Sequence, residues 1–358
     1  MTAYEKRIIG VNPDIRQGDQ MKLGIVGLSR SGKSTIFEAL TQNILPKDHK
    51  REYRVGTIRV PDQRVDMLSR MFKPKKTFHA QVEYFLPARL GQIKEQHMWS
   101  QVRNCDAFIH VVRNFGGYGF EDPTPYDDFH ALEQELILAD IAVAEKRIER
   151  IEKQRGKPID QKELASLEQC LNNLENATPL RTCSDLISAH SLKGFAFLSS
   201  KSMLVLFNNE DEDDRLPNVG DLTEKENCMV IRGKLEQELA QMSNEEAEEF
   251  LDEFNISASA MDRVIKRSYE LLGLISFFTF VENEVKAWTV EKDINAVDAA
   301  GVIHSDMKKG FIRAEVVSYD NLMNAGSYHE ARQKGHVKLE GKTYAVQDGD
   351  VITFRFNV

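Results

Sequence analysis

The residues best equipped for chemistry stand together near the start of the chain. Gly27-Leu28-Ser29-Arg30-Ser31-Gly32-Lys33-Ser34 is a complete G-x-x-x-x-G-K-[ST] phosphate loop, directly after the apolar run Leu23-Gly24-Ile25-Val26. Glycines at 27 and 32 permit the tight turn that aims successive backbone N–H groups, those of Ser29, Arg30 and Ser31 among them, at phosphate oxygens. Lys33 is expected to reach the β and γ oxygens, Ser34 to offer its hydroxyl to Mg²⁺, and Thr35 to follow in the first helical turn. The helix predicted over Ser34-Thr35-Ile36-Phe37-Glu38-Ala39-Leu40 would direct the positive end of its dipole at the anion. A chance Gly/Ser-rich turn is the bland alternative, and the strand before and amphipathic helix after weigh against it.

The parts that complete a switch-type hydrolase are weaker. Such proteins end a later strand in Asp-x-x-Gly, the Asp holding the Mg²⁺ shell and the Gly N–H sensing the γ-phosphate. Here the predicted strand Gln81-Val82-Glu83-Tyr84-Phe85 runs into Leu86-Pro87-Ala88-Arg89, with neither carboxylate nor glycine. The stretch Leu45–Glu52 supplies no threonine to close over the metal.

These residues need a scaffold. Ala107–Val112 and Met203–Phe207 are short continuous apolar runs, the pattern of parallel strands buried on both faces, so the N-terminal part reads as three-layer α/β. Between them Ile137, Ile141, Ala144, Ile148 and Ile151 recur at helical spacing, Gly156 and Pro158 break the pattern, and Leu164, Leu167, Leu171 and Leu174 resume it. Two matched arms around a breaker predict an antiparallel helical hairpin inserted into the α/β domain, with Glu145, Lys146, Arg147, Glu149 and Arg150 on a solvated face. Toward the C-terminus, Glu284–Val290, Phe311–Val317 and Val351–Phe356 alternate with period two around a helical stretch at Ala296–Ile303, predicting a small α+β domain.

Composition narrows the partners. A net charge of −9 argues against general affinity for duplex nucleic acid, and no stretch approaches the length and apolarity of a membrane span. The N-terminus lacks a secretory pattern. Cysteines 105, 170, 183 and 228 have no metal-ligand spacing and read as reduced thiols of a cytoplasmic protein, so no structural metal is expected.

Several segments together resemble one family, YchF, the Obg-like ATPases. They are the phosphate loop, Leu136–Asp140 leading to Glu145–Arg150, Ser268–Leu274, Lys286-Ala287-Trp288-Thr289, Gly301–Asp306, Lys309–Val316 and the terminal Asp348–Val358. The resemblance implies a P-loop NTPase G domain with a parallel sheet, the inserted hairpin and a C-terminal TGS domain of β-grasp type. The implied boundaries are an N-terminal extension over 1–20, G domain over 21–126, hairpin over 127–177, G domain again over 178–275 and TGS over 276–358. It further implies ATP or GTP as ligand, Mg²⁺ held weakly through Ser34, and association with the ribosome or another ribonucleoprotein.

This sequence departs from the family within the nucleotide site. The switch I pattern before Val60-Pro61-Asp62 is lost, the family's Asp-Ile-Ala-Gly aligns with Leu86–Arg89, and its base-closing Ser-Ala aligns with Arg232-Gly233. For the base reader, Asn208-Asn209-Glu210-Asp211-Glu212 supports two registers: one from Asn208 to Asp211, favouring GTP, and one from Asn209 to Glu212, resembling the family's Asn-x-x-Glu. The expected function is nucleotide binding by a translation-associated factor with weak or lost hydrolysis, the alternative being an active slow ATPase/GTPase cycling on the ribosome. Arg89 could replace lost metal charge beside the phosphates. His304 is expected to satisfy a local hydrogen bond, and Trp288 to be core.

Overall fold

The computed structural model describes residues 21–42, 53–88, 95–117, 119, 121–153, 160–253, 259–281 and 283–357. In chain order the elements begin β1 (Lys22–Val26), α1 (Lys33–Thr41), β2 (Arg54–Arg59), α2 (Gln63–Phe72), β3 (Lys76–Phe78), β4 (Gln81–Leu86), α3 (Glu95–Val102) and β5 (Ala107–Asn114). The long helices α4 (Pro125–Glu152) and α5 (Gln161–Glu175) follow, then α6 (Ser184–Ser188), β6 (Met203–Asn209), α7 (Leu222–Lys225), β7 (Asn227–Ile231) and α8 (Gly233–Leu239). Next come α9 (Asn244–Glu253), α10 (Ala260–Leu271), β8 (Leu274–Val281), β9 (Glu284–Glu291), α11 (Ala296–Ile303) and α12 (Ser305–Lys309). The chain closes with β10 (Phe311–Ser318), α13 (Tyr319–Ala325), α14 (Tyr328–Gln333), β11 (Lys338–Glu340) and β12 (Asp350–Phe356).

Two compact units emerge. One holds residues 21–60 and 82–272 around a sheet of order β2-β4-β1-β5-β6-β7. Strand β1 pairs in parallel with both β4 and β5, and β5–β6 and β6–β7 are also parallel. Every residue of β6 is buried, as expected of a strand covered on both faces. Phe108, Val112, Val205 and Phe207 pack with Phe129, Leu132 and Leu136 of α4.

The hairpin forms as predicted. Its seam joins Ile137, Ala144 and Ile151 of α4 to Leu167, Cys170 and Leu174 of α5, and Glu145, Lys146, Glu149 and Arg150 are exposed. Arg147 adds an ion pair to Glu163 at 2.7 Å. Asp140 anchors the arm: its fully buried carboxylate accepts from the N–H groups of Leu198 and Ser199 at 2.9 and 2.7 Å, from Ser199 Oγ and from Arg103.

The second unit gathers 273–358 around a sheet of order β11-β10-β12-β8-β9-β3, with Ala296, Ala299 and Ala300 of α11 against Phe277, Ile352 and Phe354. This is the β-grasp arrangement. Residues 61–81 belong here rather than with the first part of the α/β domain where the sequence placed them: β3 pairs in parallel with β9, Lys76 opposite Glu284. A three-residue strand with every residue exposed carries no periodicity of its own, so only the long-range pairing reveals it. Trp288 is half-buried rather than core, its Nε1 donating to Thr279 at 2.9 Å and Lys286 lying over its ring. His304 satisfies a local bond as expected, its Nδ1 accepting from the Asp306 N–H.

Candidate nucleotide site

The phosphate loop bridges β1 and α1 at the carboxyl edge of the parallel sheet, where open α/β sheets bind ligands. Gly27 has φ 150° and a Cβ there would stand 2.4 Å from the Val111 carbonyl oxygen. Gly32 is left-handed at φ 100°, and a Cβ would meet Asn208 Nδ2 at 2.2 Å. Neither position admits a side chain. Arg30 also takes a positive φ of 64°, at the exposed crown of the loop beside exposed Ser29.

Lys33 folds back over the loop, donating to the carbonyls of Gly27 at 2.7 Å and Leu28 at 2.6 Å. The ammonium is thereby held over the turn. No acidic residue occupies the first turn of α1, so the dipole's positive end is left for an anion. Ser31 Oγ is buried without a hydrogen-bond partner, an orphaned donor inside the loop. Ser34 and Thr35 stand half-buried in the first turn. Together these residues fit a polyphosphate.

The loop is fixed from behind by a residue at the end of β6. Asn208, 5% exposed, donates from Nδ2 to the Ser31 carbonyl at 3.1 Å and accepts at Oδ1 from the Gly233 N–H at 2.9 Å. Asn209 alternates to the other side, where its Oδ1 accepts from Asn114 and its Nδ2 donates to the Arg215 carbonyl. The structure therefore brings Asn208, and not Asn209, to the phosphate loop. Asp211 accepts at Oδ1 from the Leu235 N–H at 3.2 Å, in the first turn of α8, with Lys234 Nζ 3.6 Å from its other oxygen. Between them Glu210 accepts from the Gly116 N–H, tying this loop to the one after β5. That tie was not foreseen, because nothing in the sequence marks Gly116 as its partner.

Leu86 ends β4 and is 5% exposed, a buried apolar side chain with no oxygen to offer a metal. The Ala88 N–H donates to Gln101 Oε1. Among the described residues no cluster of three or more His, Cys, Asp or Glu could hold a metal ion. Arg89 and the Leu45–Glu52 stretch lie outside the described residues.

Burial favours the neutral forms of two groups in the α/β unit. Desolvation, then the nearby Arg181 and Lys33 charges, hold the His110 imidazole down to about 3, and burial pushes the Cys105 thiol up to about 12. All four cysteines are free.

Comparison with known proteins follows the same lines. The family profile YchF-GTPase_C, described as a protein of unknown function (DUF933), matches residues 274–357. The chain is similar to the "Ribosome-binding ATPase YchF" of Bacillus subtilis (strain 168), 38% identical over 362 residues, covering 94% of this chain and 99% of the relative. The protein of the same name from Escherichia coli O157:H7 is 36% identical over 361 residues, with the same two coverages. The solved structure of the Schizosaccharomyces pombe YchF GTPase superposes with a TM-score of 0.81 at 26% identity, over 94% of this chain and 98% of that one. With sequence shared at this level along nearly the whole of both chains, and the fold shared as well, the chain belongs to the YchF family of Obg-like ATPases.

Proposed function

We propose that this chain is a cytoplasmic, ribosome-binding nucleotide hydrolase of YchF type, which takes ATP and/or GTP on its phosphate loop and turns it over slowly. The observation that carries the reading is the loop itself: two glycines that admit no Cβ, Lys33 held over the turn and Asn208 bracing it from β6. Lys33 and the N–H groups of the loop bind and orient the phosphates, and Ser34 would hold Mg²⁺, which supplies charge neutralisation when bound. The name shared by the relatives, ribosome-binding ATPase, supports both turnover and the ribosome as partner. It favours the active enzyme over binding alone. No helix among the described residues is long and apolar enough to cross a membrane.

A second reading, nucleotide held with hydrolysis weak or lost, is favoured by one observation, the buried Leu86 at the end of β4. In the first of the two registers, Asp211 reads the base and Asn208 braces the phosphate loop. The support is that Asn208 reaches Ser31 and Gly233 while Asp211 reaches Leu235. One experiment separates the readings: ATP and GTP are titrated with and without Mg²⁺, followed by single-turnover hydrolysis with and without ribosomes. Nucleotide bound and hydrolysed, faster on the ribosome, supports the enzyme; nucleotide bound and recovered intact supports the second reading; no binding refutes both.

A further inference from the structure

Strand β7 ends the first sheet, and among the described residues no strand pairs with its outer edge. A groove of about 1110 Å³ runs along that edge, lined by all five residues of β7 and by one face of α10. Free backbone donors and acceptors beside a groove are a template for a further strand.

The facing wall is cationic. On α10 the residues Val264, Ile265, Ser268 and Tyr269 are buried, which leaves Arg263, Lys266 and Arg267 exposed along the groove. Arg267 pairs with Glu270 at 3.2 Å, whereas Arg263 and Lys266 have no ion pair among the described residues. Arg232 stands at the β7 terminus and also lines the groove. Of the acidic residues that line it, Glu226 is turned to Arg181 at 2.7 Å, Glu236 accepts from the Ala260 N–H at 2.8 Å, Glu270 is taken by Arg267, and Asp214 is exposed. The α10 wall of the groove is therefore locally positive, on a chain of net charge −9.

Spacing matches as well as sign. Alternate residues of an added strand stand about 6.8 Å apart. Positions four apart on a helix advance about 6 Å. Carboxylates on every second residue of such a strand would therefore follow Arg263 and Arg267 along α10, with Lys266 between them. The remaining side chains would point to the opposite face of the sheet, where Cys228 and Val230 of β7 lie. A single-stranded RNA would find the cations but no aromatic surface on which to stack a base, since none lines the groove.

We propose that this groove binds an extended acidic protein segment, which adds to β7 as a seventh strand and sets its carboxylates along the row of Arg263, Lys266 and Arg267. The inference is independent of the nucleotide site. It is tested by fluorescence anisotropy on the full chain with a labelled, end-blocked ten-residue peptide of alternating valine and glutamate. The expected result is saturable binding, weakened about ten-fold or more by the double substitution Arg263→Glu/Lys266→Glu. The alternating valine–lysine peptide and a glutamate peptide with alternate N-methylated amides should both fail to bind. Because both substituted side chains are exposed, the double variant should melt as the wild type does. Should it not, amide exchange in the wild type carries the test, with slower exchange over 227–231 on adding the peptide. No saturable binding, undiminished binding by a folded double variant, unchanged exchange at β7, or displacement of the peptide by a uridine decamer would each overturn the proposal, the last assigning the groove to RNA.

Discussion

The side-chain amide of Asn208 bonds at both ends, Nδ2 to the Ser31 carbonyl and Oδ1 to the Gly233 N–H, so one buried residue joins the phosphate loop to the start of α8. Asn208→Ala leaves a buried carbonyl and a buried N–H unpaired. The expected cost is roughly 1–3 kcal/mol of stability, read by urea denaturation. Because the brace acts on the phosphate loop, ATP and GTP should weaken together; a loss confined to one base would show that Asn208 contacts the base and braces nothing.

Removing the ammonium over the loop should separate binding from folding. Lys33→Ala loses the charge-assisted contact to phosphate, worth about 1.5–3 kcal/mol, or roughly ten- to a hundred-fold in affinity. The fold should survive, since the lost bonds are two local ones to Gly27 and Leu28. Isothermal titration with ATP and GTP, beside a circular dichroism spectrum, checks both halves; unchanged affinity in a folded variant would refute the phosphate-loop assignment.

At the end of β4, Leu86 cannot accept a hydrogen bond from Mg²⁺-bound water. Nucleotide affinity in the wild type should thus depend only mildly on Mg²⁺, and Leu86→Asp should steepen that dependence, at some cost in stability for a polar group at a buried position. Titrations at several Mg²⁺ concentrations read the difference. A strict requirement already present in the wild type would mean that another carboxylate serves the metal.

Base choice is readable at one position. If Asp211 accepts from the guanine edge, Asp211→Asn weakens GTP by roughly 1–3 kcal/mol and leaves ATP nearly unchanged, whereas Glu212→Gln does neither. Competition of GTP against labelled ATP measures it. Equal effects of the two substitutions would move the reader away from this loop.

Acid stability should carry the imprint of His110. Its imidazole takes up a proton near its ordinary value of 6.5 when unfolded but only at about 3 when native, because burial and the Arg181 and Lys33 charges oppose the cation. Between those two values the unfolded chain binds more protons, so stability rises with pH across the window and levels off above it. The slope from this one group approaches about 1.4 kcal/mol per pH unit. Urea denaturation at pH 4.5, 5.5 and 6.5 should therefore give a shallower slope for His110→Gln than for the wild type; parallel slopes would mean that the imidazole finds a proton in the native state.

Much of this was legible before any coordinates. The phosphate loop is local, eight residues whose backbone needs are written into Gly27 and Gly32, and the hairpin arms announce themselves because Ile137 to Ile151 keep one helical face. What escaped depends on partners far along the chain. The two registers from Asn208 and Asn209 have identical spacing, and only the alternation of β6, with one amide toward Ser31 and the next toward Asn114 and Arg215, distinguishes their surroundings. Strand β3 is read from its pairing with β9, some 200 residues away, and not from its own three residues. Leu86 had the opposite character: its identity was plain, and the structure added that it is buried.

Helix α8 is only seven residues long, yet four of them reach four different places. Gly233 bonds Asn208, Leu235 bonds Asp211, Glu236 accepts from the Ala260 N–H at the start of α10, and Gln237 bonds Glu38 on α1. Each contact depends on angular phase, since successive residues of a helix are turned by about 100°. A conservative change at Glu236 or Gln237 would disturb one tether at a time, and one at Leu235 would leave its backbone N–H bond in place. A single inserted residue after Gly233 would swing Leu235, Glu236 and Gln237 away from their partners at once, so this short helix tolerates substitution far better than any change in its length.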